Sequence, residues 1–248
     1  MKFDKDWKFN VLGVYNFKAP GKLDSYFDFI RKNHKNLNGD ICEIGVFNGS
    51  SILATGILLK EIGSNKKVYG FDSFSGFPSY HINDNLEKFK ELHDSGQITS
   101  EHFEDFKLNV KLKNLNNNNK LDASNISSSN DFSQASIDLL KEKINFLGLD
   151  NIILVDGDYK LTMPHFDQKT TFFAALMDCD LYESHKIALN FLWNRLTPNS
   201  YVFLDEYYSL KFPGARIAIN EFFKTKTEKP SMHQNKLMDF ERWYVKKI

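Results

Sequence analysis

Residues 39–51 read Gly39-Asp-Ile-Cys-Glu-Ile-Gly-Val-Phe-Asn-Gly-Ser-Ser51, and residues 67–72 read Lys67-Val-Tyr-Gly-Phe-Asp72. The apolar run Ile41–Val46 has the length of a strand and carries a glycine near its end, where the chain must turn. Ser50 and Ser51 then open a helical stretch to Ile62, with Gly63 just past its end. Lys67–Asp72 is the next strand. Strand, helix and strand in this order favour parallel pairing, because the crossover helix carries the chain back to the same end of the sheet.

The flanking sequence extends the same alternation. Leu23, Phe27 and Ile30 recur near the helical period and predict a helix over 21–35, preceded by an irregular, aromatic-bearing segment over 1–20. Further helices are expected near 133–147, 184–195 and 215–224, and strands at 152–155, 172–178 and 242–245. Pro198-Asn-Ser200 marks a turn into a strand over 201–205. The pattern is α/β: a doubly wound, mostly parallel sheet in a single domain spanning 1–248, with ligands expected at the carboxyl ends of its strands. A polar insert at about 79–133 interrupts it, with Asn114-Leu-Asn-Asn-Asn-Asn-Lys120 and Ser127-Ser-Ser-Asn130. Such an insert is either a lid or flexible padding.

The 248 residues carry 32 Lys+Arg and 32 Asp+Glu, a net charge of zero that gives no argument for nucleic acid or an anionic membrane as partner. No run approaches the roughly 18 apolar residues of a membrane span. The start, Met1-Lys-Phe-Asp-Lys-Asp-Trp7, has no apolar signal core. Cys42 and Cys179 both sit in or beside apolar runs and are expected as buried free thiols. A soluble, cytoplasmic protein is expected.

Three groups of residues carry potential chemistry. The glycine turn Glu43-Ile-Gly45-Val-Phe-Asn-Gly49 lets a ligand approach the backbone at a helix start, although such turns also occur for structure alone. Phe47 and Ser50 stand where the dinucleotide fingerprint requires glycines, which weakens a nicotinamide reading. Asp72, closing the next strand, is placed to accept from ribose hydroxyls, or else to cap the turn before Ser73. Asp178 and Asp205 each close an apolar strand, with Asp180 and Glu206 beside them. Carboxylates converging on one rim repel unless a cation lies between them, and hard oxygen ligands suit Mg²⁺. The alternative is that these acids cap helices or pair with Arg216 and Lys186.

Taken with Gly70-Phe-Asp-Ser-Phe-Ser-Gly-Phe-Pro78, Asp178-Cys-Asp-Leu-Tyr-Glu-Ser184, Leu204-Asp-Glu-Tyr207 and Phe212-Pro-Gly-Ala-Arg216, the chain resembles the macrocin O-methyltransferase (TylF-type) family. The likeness runs from about Gly39 to Phe222, outside the insert. It implies a class I, Rossmann-like methyltransferase fold and transfer of a methyl group from S-adenosyl-L-methionine to a sugar hydroxyl, with Mg²⁺ or another divalent cation. It further implies that Glu43, Gly45, Phe47 and Ser51 line the methionine side of the cofactor. Asp72 would hold the ribose, Ser73 and Phe74 would flank the adenine, and Gly157, Asp158 and Tyr159 would lie at its edge. Asp178, Asp205 and Glu206 match the metal ligands, Glu206 standing where Asp or Asn is more usual. Catechol-type relatives carry a Lys where Leu181 stands.

Asp178 is the expected general base, ahead of His165 and His233. Tyr80, Tyr207 and Tyr208 are available to stack on a sugar ring. The expected partners are a small-molecule or saccharide acceptor and further copies of the chain in a homo-oligomer. Two other readings compete: a glycosyltransferase using Asp178-Cys179-Asp180 as a metal-holding D-x-D string, and a cofactor-binding protein without catalysis.

Overall fold

The computed structural model describes residues 2–115, 120–233 and 240–248. Its strands are β1 (Asp40–Ile44), β2 (Val68–Asp72), β3 (Ile152–Asp156), β4 (Phe172–Met177), β5 (Leu196–Leu204), β6 (Ser231–Met232) and β7 (Trp243–Lys246). They form one seven-stranded sheet in the order β3-β2-β1-β4-β5-β7-β6. The five strands from β3 to β5 are parallel, and β7 runs antiparallel to both β5 and β6.

Helices cover both faces, so the central strands are apolar at successive rather than alternate positions, with Glu43 of β1 a buried exception. All six residues of β4, Phe-Phe-Ala-Ala-Leu-Met, are buried. Ile41, Leu176, Tyr201 and Phe203 join the core containing α2 (Asp24–Asn33) and α3 (Ser50–Glu61). Cys42, Ile44, Ala175, Met177, Val202 and Leu204 join the one containing α8 (Tyr182–Trp193) and α9 (Pro213–Phe223). The other helices are α1 (Asp6–Leu12), α4 (Lys88–Asp94), α5 (Ser100–Leu115), α6 (Ile137–Leu147) and α7 (Tyr159–His165). Among the described residues no helix is long and apolar enough to cross a membrane. Both cysteines are free and buried.

Several expectations need correction. Residues 1–20 are not irregular throughout: α1 occupies seven of them and stops at Gly13, whose φ of +66° is left-handed. It is too short to declare a period, and it holds through Phe9, whose ring meets Phe3 and Phe17. The turn at Pro198-Asn-Ser200 lies inside β5 as a bulge. Phe172 pairs Leu196 but Ala174 pairs Tyr201, and Asn199 takes φ +63° to absorb the extra residues. The short α7 and β6 gave no readable period either.

The insert is built rather than loose. Phe89, Leu92, Ile98 and Phe106 form a small core against Leu210 and Ile217, so α4 and α5 pack on α9 and the loop before it. His102 Nε2 donates to the Ser209 carbonyl at 2.8 Å, and Asn109 to that of Leu210 at 2.9 Å. The asparagine run over 116–119 lies outside the described residues.

Candidate active site

The register of the parallel strands creates the site. Ile44 pairs both Phe71 and Met177, and Met177 pairs Leu204, so the next residues, Gly45, Asp72, Asp178 and Asp205, emerge along one rim. Gly45 crosses directly against its neighbour: a Cβ there would lie 1.7 Å from the Asp178 carbonyl oxygen, and its φ is +89°. Only glycine allows β1 and β4 to end this close together.

The loop after Gly45 is locked by Asp72. One carboxylate oxygen accepts from the amides of Val46 (2.7 Å) and Phe47 (2.9 Å), the other from the amide of Phe74 (2.8 Å). A carboxylate has about four acceptor positions, so roughly one remains for a ligand hydroxyl. Phe47 sits at φ +48°, a conformation costly outside glycine, and these bonds hold it there. Its ring meets Phe132 edge-on at 5.0 Å, and Phe132 meets Phe77 at 5.0 Å, so the two ends of the insert roof the loop.

Beneath the loop lies a fully buried acid. Ser51 Oγ donates to one oxygen of Glu43 at 2.6 Å, and the other oxygen has no partner. Burial, reinforced by Asp178 and Asp72, lifts the pKa of Glu43 to about 8. A buried carboxylate left half-satisfied is a cost to the fold that a bound cation would offset.

Gly45, Phe47, Ser51, Asp72, Ser73, Asp158, Tyr159 and Asp178 all line one cleft, together with Phe77, Phe132, Asp180 and Ile187. Glu43 lies under it, reaching it through Ser51. Phe74 is buried in the core beside it, and Gly157 donates its amide to the Asp72 carbonyl. Asp205 and Glu206 line a second, adjoining opening with Lys22, Tyr208, Lys211 and Arg242.

The acids meet where the two openings adjoin. Asp178, Asp205 and Glu206 bring one carboxylate oxygen each within 4.8 Å of one another. One oxygen of Asp205 and one of Glu206 are buried without a hydrogen-bond partner. Burial and Asp205 raise the pKa of Asp178, and burial with Asp178 and Asp180 raises Glu206 well above the carboxylate range. Asp205 goes the other way: burial disfavours its charge, but Lys22 outweighs that and holds it below the usual value. The Lys22 ammonium lies 2.9 Å from Asp205 and 3.8 Å from Asp178. Asp178 and Glu206 are pushed toward the protonated form while the single lysine keeps Asp205 ionised, the signature of a cluster short of positive charge.

Lys22 was not legible in the sequence, being one lysine among many and bonded to a residue 183 positions away. Asp84 was also missed. It accepts from the first amide of α8, that of Tyr182, at 2.8 Å and from the His81 amide at 2.8 Å, fixing the insert to the helix that follows Asp178-Cys-Asp180. A Cβ on Gly214 would lie 2.0 Å from the same carboxylate, so the Phe212-Pro-Gly-Ala-Arg216 motif makes room for it.

Arg216 and Lys186 do not neutralise the acids: Arg216 donates to the carbonyls of Tyr207 and Gln97, and Lys186 lies over the Tyr182 ring. Tyr207 is capped by Arg216 at 3.8 Å and bonded to Asn220, so its ring is already used. Tyr208 stacks on His102 and still lines the second opening. His233 is bonded to Tyr201 at 2.8 Å. Neither it nor His165 lines the two openings.

A sheet in this order, with a glycine loop after β1 tied to the acid that closes β2, is that of a class I S-adenosylmethionine-dependent methyltransferase. The sequence matches Macrocin-O-methyltransferase (TylF) over residues 22–118 and 110–237; the chain belongs to that family and is an S-adenosylmethionine-dependent O-methyltransferase. It is 27% identical over 221 residues to the demethyldecarbamoylnovobiocin O-methyltransferase of Streptomyces niveus, covering 88% of this chain and 70% of that one. The fold is similar to that of the O-methyltransferase NovP, with a TM-score of 0.60, 19% identity and coverage of 89% and 78% of the two chains. It is likewise similar to the calicheamicin methyltransferase CalS11, with a TM-score of 0.62, 19% identity and coverage of 98% and 80%.

Proposed function

We propose that the protein methylates a hydroxyl of a sugar or sugar-containing metabolite, such as a natural product or a surface-polysaccharide precursor. We further propose that Asp178, Asp205 and Glu206 hold a divalent cation, Mg²⁺ or a similar ion, beside the cofactor. The observation that carries this reading is the cluster itself: three carboxylates at the junction of two openings, with buried oxygens that lack a partner. The donor set is all oxygen, which fits a hard ion. When bound, the ion would polarise the acceptor hydroxyl and offset its developing negative charge. The sugar follows from the family and from relatives such as CalS11, described as a TDP-rhamnose 3'-O-methyltransferase.

In this reading the cleft under Phe132 takes the cofactor. Ser51 and Glu43 serve its methionine end, the remaining acceptor position of Asp72 serves one ribose hydroxyl, and Ser73, Phe74, Gly157, Asp158 and Tyr159 surround the adenine. The Phe47–Phe132–Phe77 roof keeps water away from the transferring methyl group. Asp178 lines the cofactor cleft and faces Asp205 across the junction, so it stands between the two reactants. Its raised pKa suits it to take the acceptor's hydroxyl proton as the oxygen attacks the methyl carbon in line with the departing sulfur. Holding both reactants in that alignment supplies much of the rate. The second opening, with the Tyr208 ring and the Lys211 and Arg242 side chains, takes the acceptor, and the insert forms its wall.

Asp205→Ala tests the metal assignment directly. With cofactor and divalent cation present, the variant is expected to lose methyl transfer while still binding S-adenosylhomocysteine. Transfer at the wild-type rate would sink it.

A further inference from the structure

Lys22 lies in the segment between α1 and α2, and its backbone there is pinned. The neighbouring Leu23 amide donates to the Tyr15 hydroxyl at 3.1 Å, and the Gly21 amide to Asp24 at 2.9 Å. From this fixed base the side chain reaches across to two of the three clustered acids, 2.9 Å from Asp205 and 3.8 Å from Asp178. No other salt bridge reaches either carboxylate among the described residues.

We infer that Lys22 is an exchangeable counter-cation of the carboxylate cluster: its ammonium group holds the acids together until a divalent ion takes its place. The inference rests on the metal reading above and goes beyond it, because it assigns a role to a residue outside the ligand set. Three observations support exchange over coexistence. The ammonium contacts the same two aspartates that the ion would use, and two cations sharing those oxygens repel at short range. The ammonium also has a way out, since the Lys22 side chain keeps 37% of its surface exposed on a four-carbon stem that can swing without moving the backbone. Finally, the displaced group has somewhere to go. Lys22 already lines the second opening, beside Tyr208 and Lys211, where a released ammonium would face the acceptor.

Exchange has two consequences for the enzyme. The cluster is never left as bare like charges before the ion arrives, and the net affinity for the ion is lowered by the cost of removing the lysine. Loading the ion would also change the acceptor side, adding a mobile hydrogen-bond donor that the metal-free protein keeps occupied.

The test is a Mn²⁺ titration of the chelator-treated full-length chain at constant pH, reading free Mn²⁺ by electron paramagnetic resonance. Lys22→Met is expected to bind Mn²⁺ about tenfold tighter than wild type, the gain from removing one partly exposed competing cation. Lys22→Arg, which keeps the cation, is expected to stay within about threefold of wild type. Equal or weaker binding by Lys22→Met overturns the inference. Asp205→Asn in both backgrounds identifies the site: if Mn²⁺ binds none of the proteins, the metal reading itself fails and the inference falls with it. Thermal unfolding gives a second readout that covers a weakly folded variant. Mn²⁺ should raise the Tm of Lys22→Met more than that of wild type, and equal increments count against exchange.

Discussion

Replacing Glu43 by glutamine tests whether the acid beneath the glycine loop is kept for function at the expense of stability. Glu43 is fully buried, takes one hydrogen bond from Ser51, and leaves its second oxygen unpartnered. Its pKa is about 8 in the folded chain against 4.5 for the free side chain. Between those values the unfolded chain ionises while the folded chain keeps its proton. The group's contribution to stability is therefore complete below about pH 4.5 and falls by about 1.4 kcal/mol per pH unit until it is lost above about pH 8. The whole swing is on the order of 5 kcal/mol, and local relaxation around a buried charge reduces what is measured.

A glutamine side chain is nearly isosteric, can accept from Ser51, and does not ionise. Urea unfolding of the cofactor-free proteins at pH 5, 6, 7 and 8 is expected to give curves that nearly coincide at pH 5 and separate as pH rises. The Glu43→Gln variant should be more stable than wild type by about 2–4 kcal/mol near pH 7.5. The same variant should bind S-adenosylmethionine about tenfold or more weakly, because glutamine cannot give up a proton and become an anion when the cationic ligand arrives. Parallel stability profiles, or a variant less stable than wild type at pH 8, would refute the reasoning.

Two further substitutions probe the insert. Asp84→Ala leaves the amides of Tyr182 and His81 without their acceptor and should cost about 1–3 kcal/mol in urea unfolding, with Asp84→Asn in between. Phe132→Ala removes the roof ring between Phe47 and Phe77 and should weaken S-adenosylhomocysteine binding by roughly tenfold in calorimetry, the value of an aromatic contact pair.

What the sequence revealed was what local pattern can carry. The β1–α3–β2 unit announced itself because apolar runs, a serine pair and a terminal glycine sit within a few residues of each other. Asp178 and Asp205 were recognisable as acids closing apolar strands. Their convergence on one rim was expected of neighbouring strands; the register that produces it, with Ile44, Met177 and Leu204 aligned across three strands, was not readable. The insert read equally as a lid or as padding because α5 turns Leu108, Leu112 and Leu115 to the outside, while the apolar residues that anchor it are spread over α4, α5 and the segment between them. Gly45 was noted as a place for a ligand to approach, yet its nearest constraint is the Asp178 backbone. Lys22 and Asp84 act through tertiary contacts with distant residues and carry no local signature at all.

The measurement that bears most directly on the metal-assisted reaction is the anomalous diffraction of Mn²⁺ in crystals grown with S-adenosylhomocysteine. One strong peak bounded by Asp178, Asp205 and Glu206 is expected, with the cofactor's sulfur facing it from the cleft beneath Phe132. A cofactor bound in that cleft with no ion at the three carboxylates, or an ion held elsewhere, would contradict it.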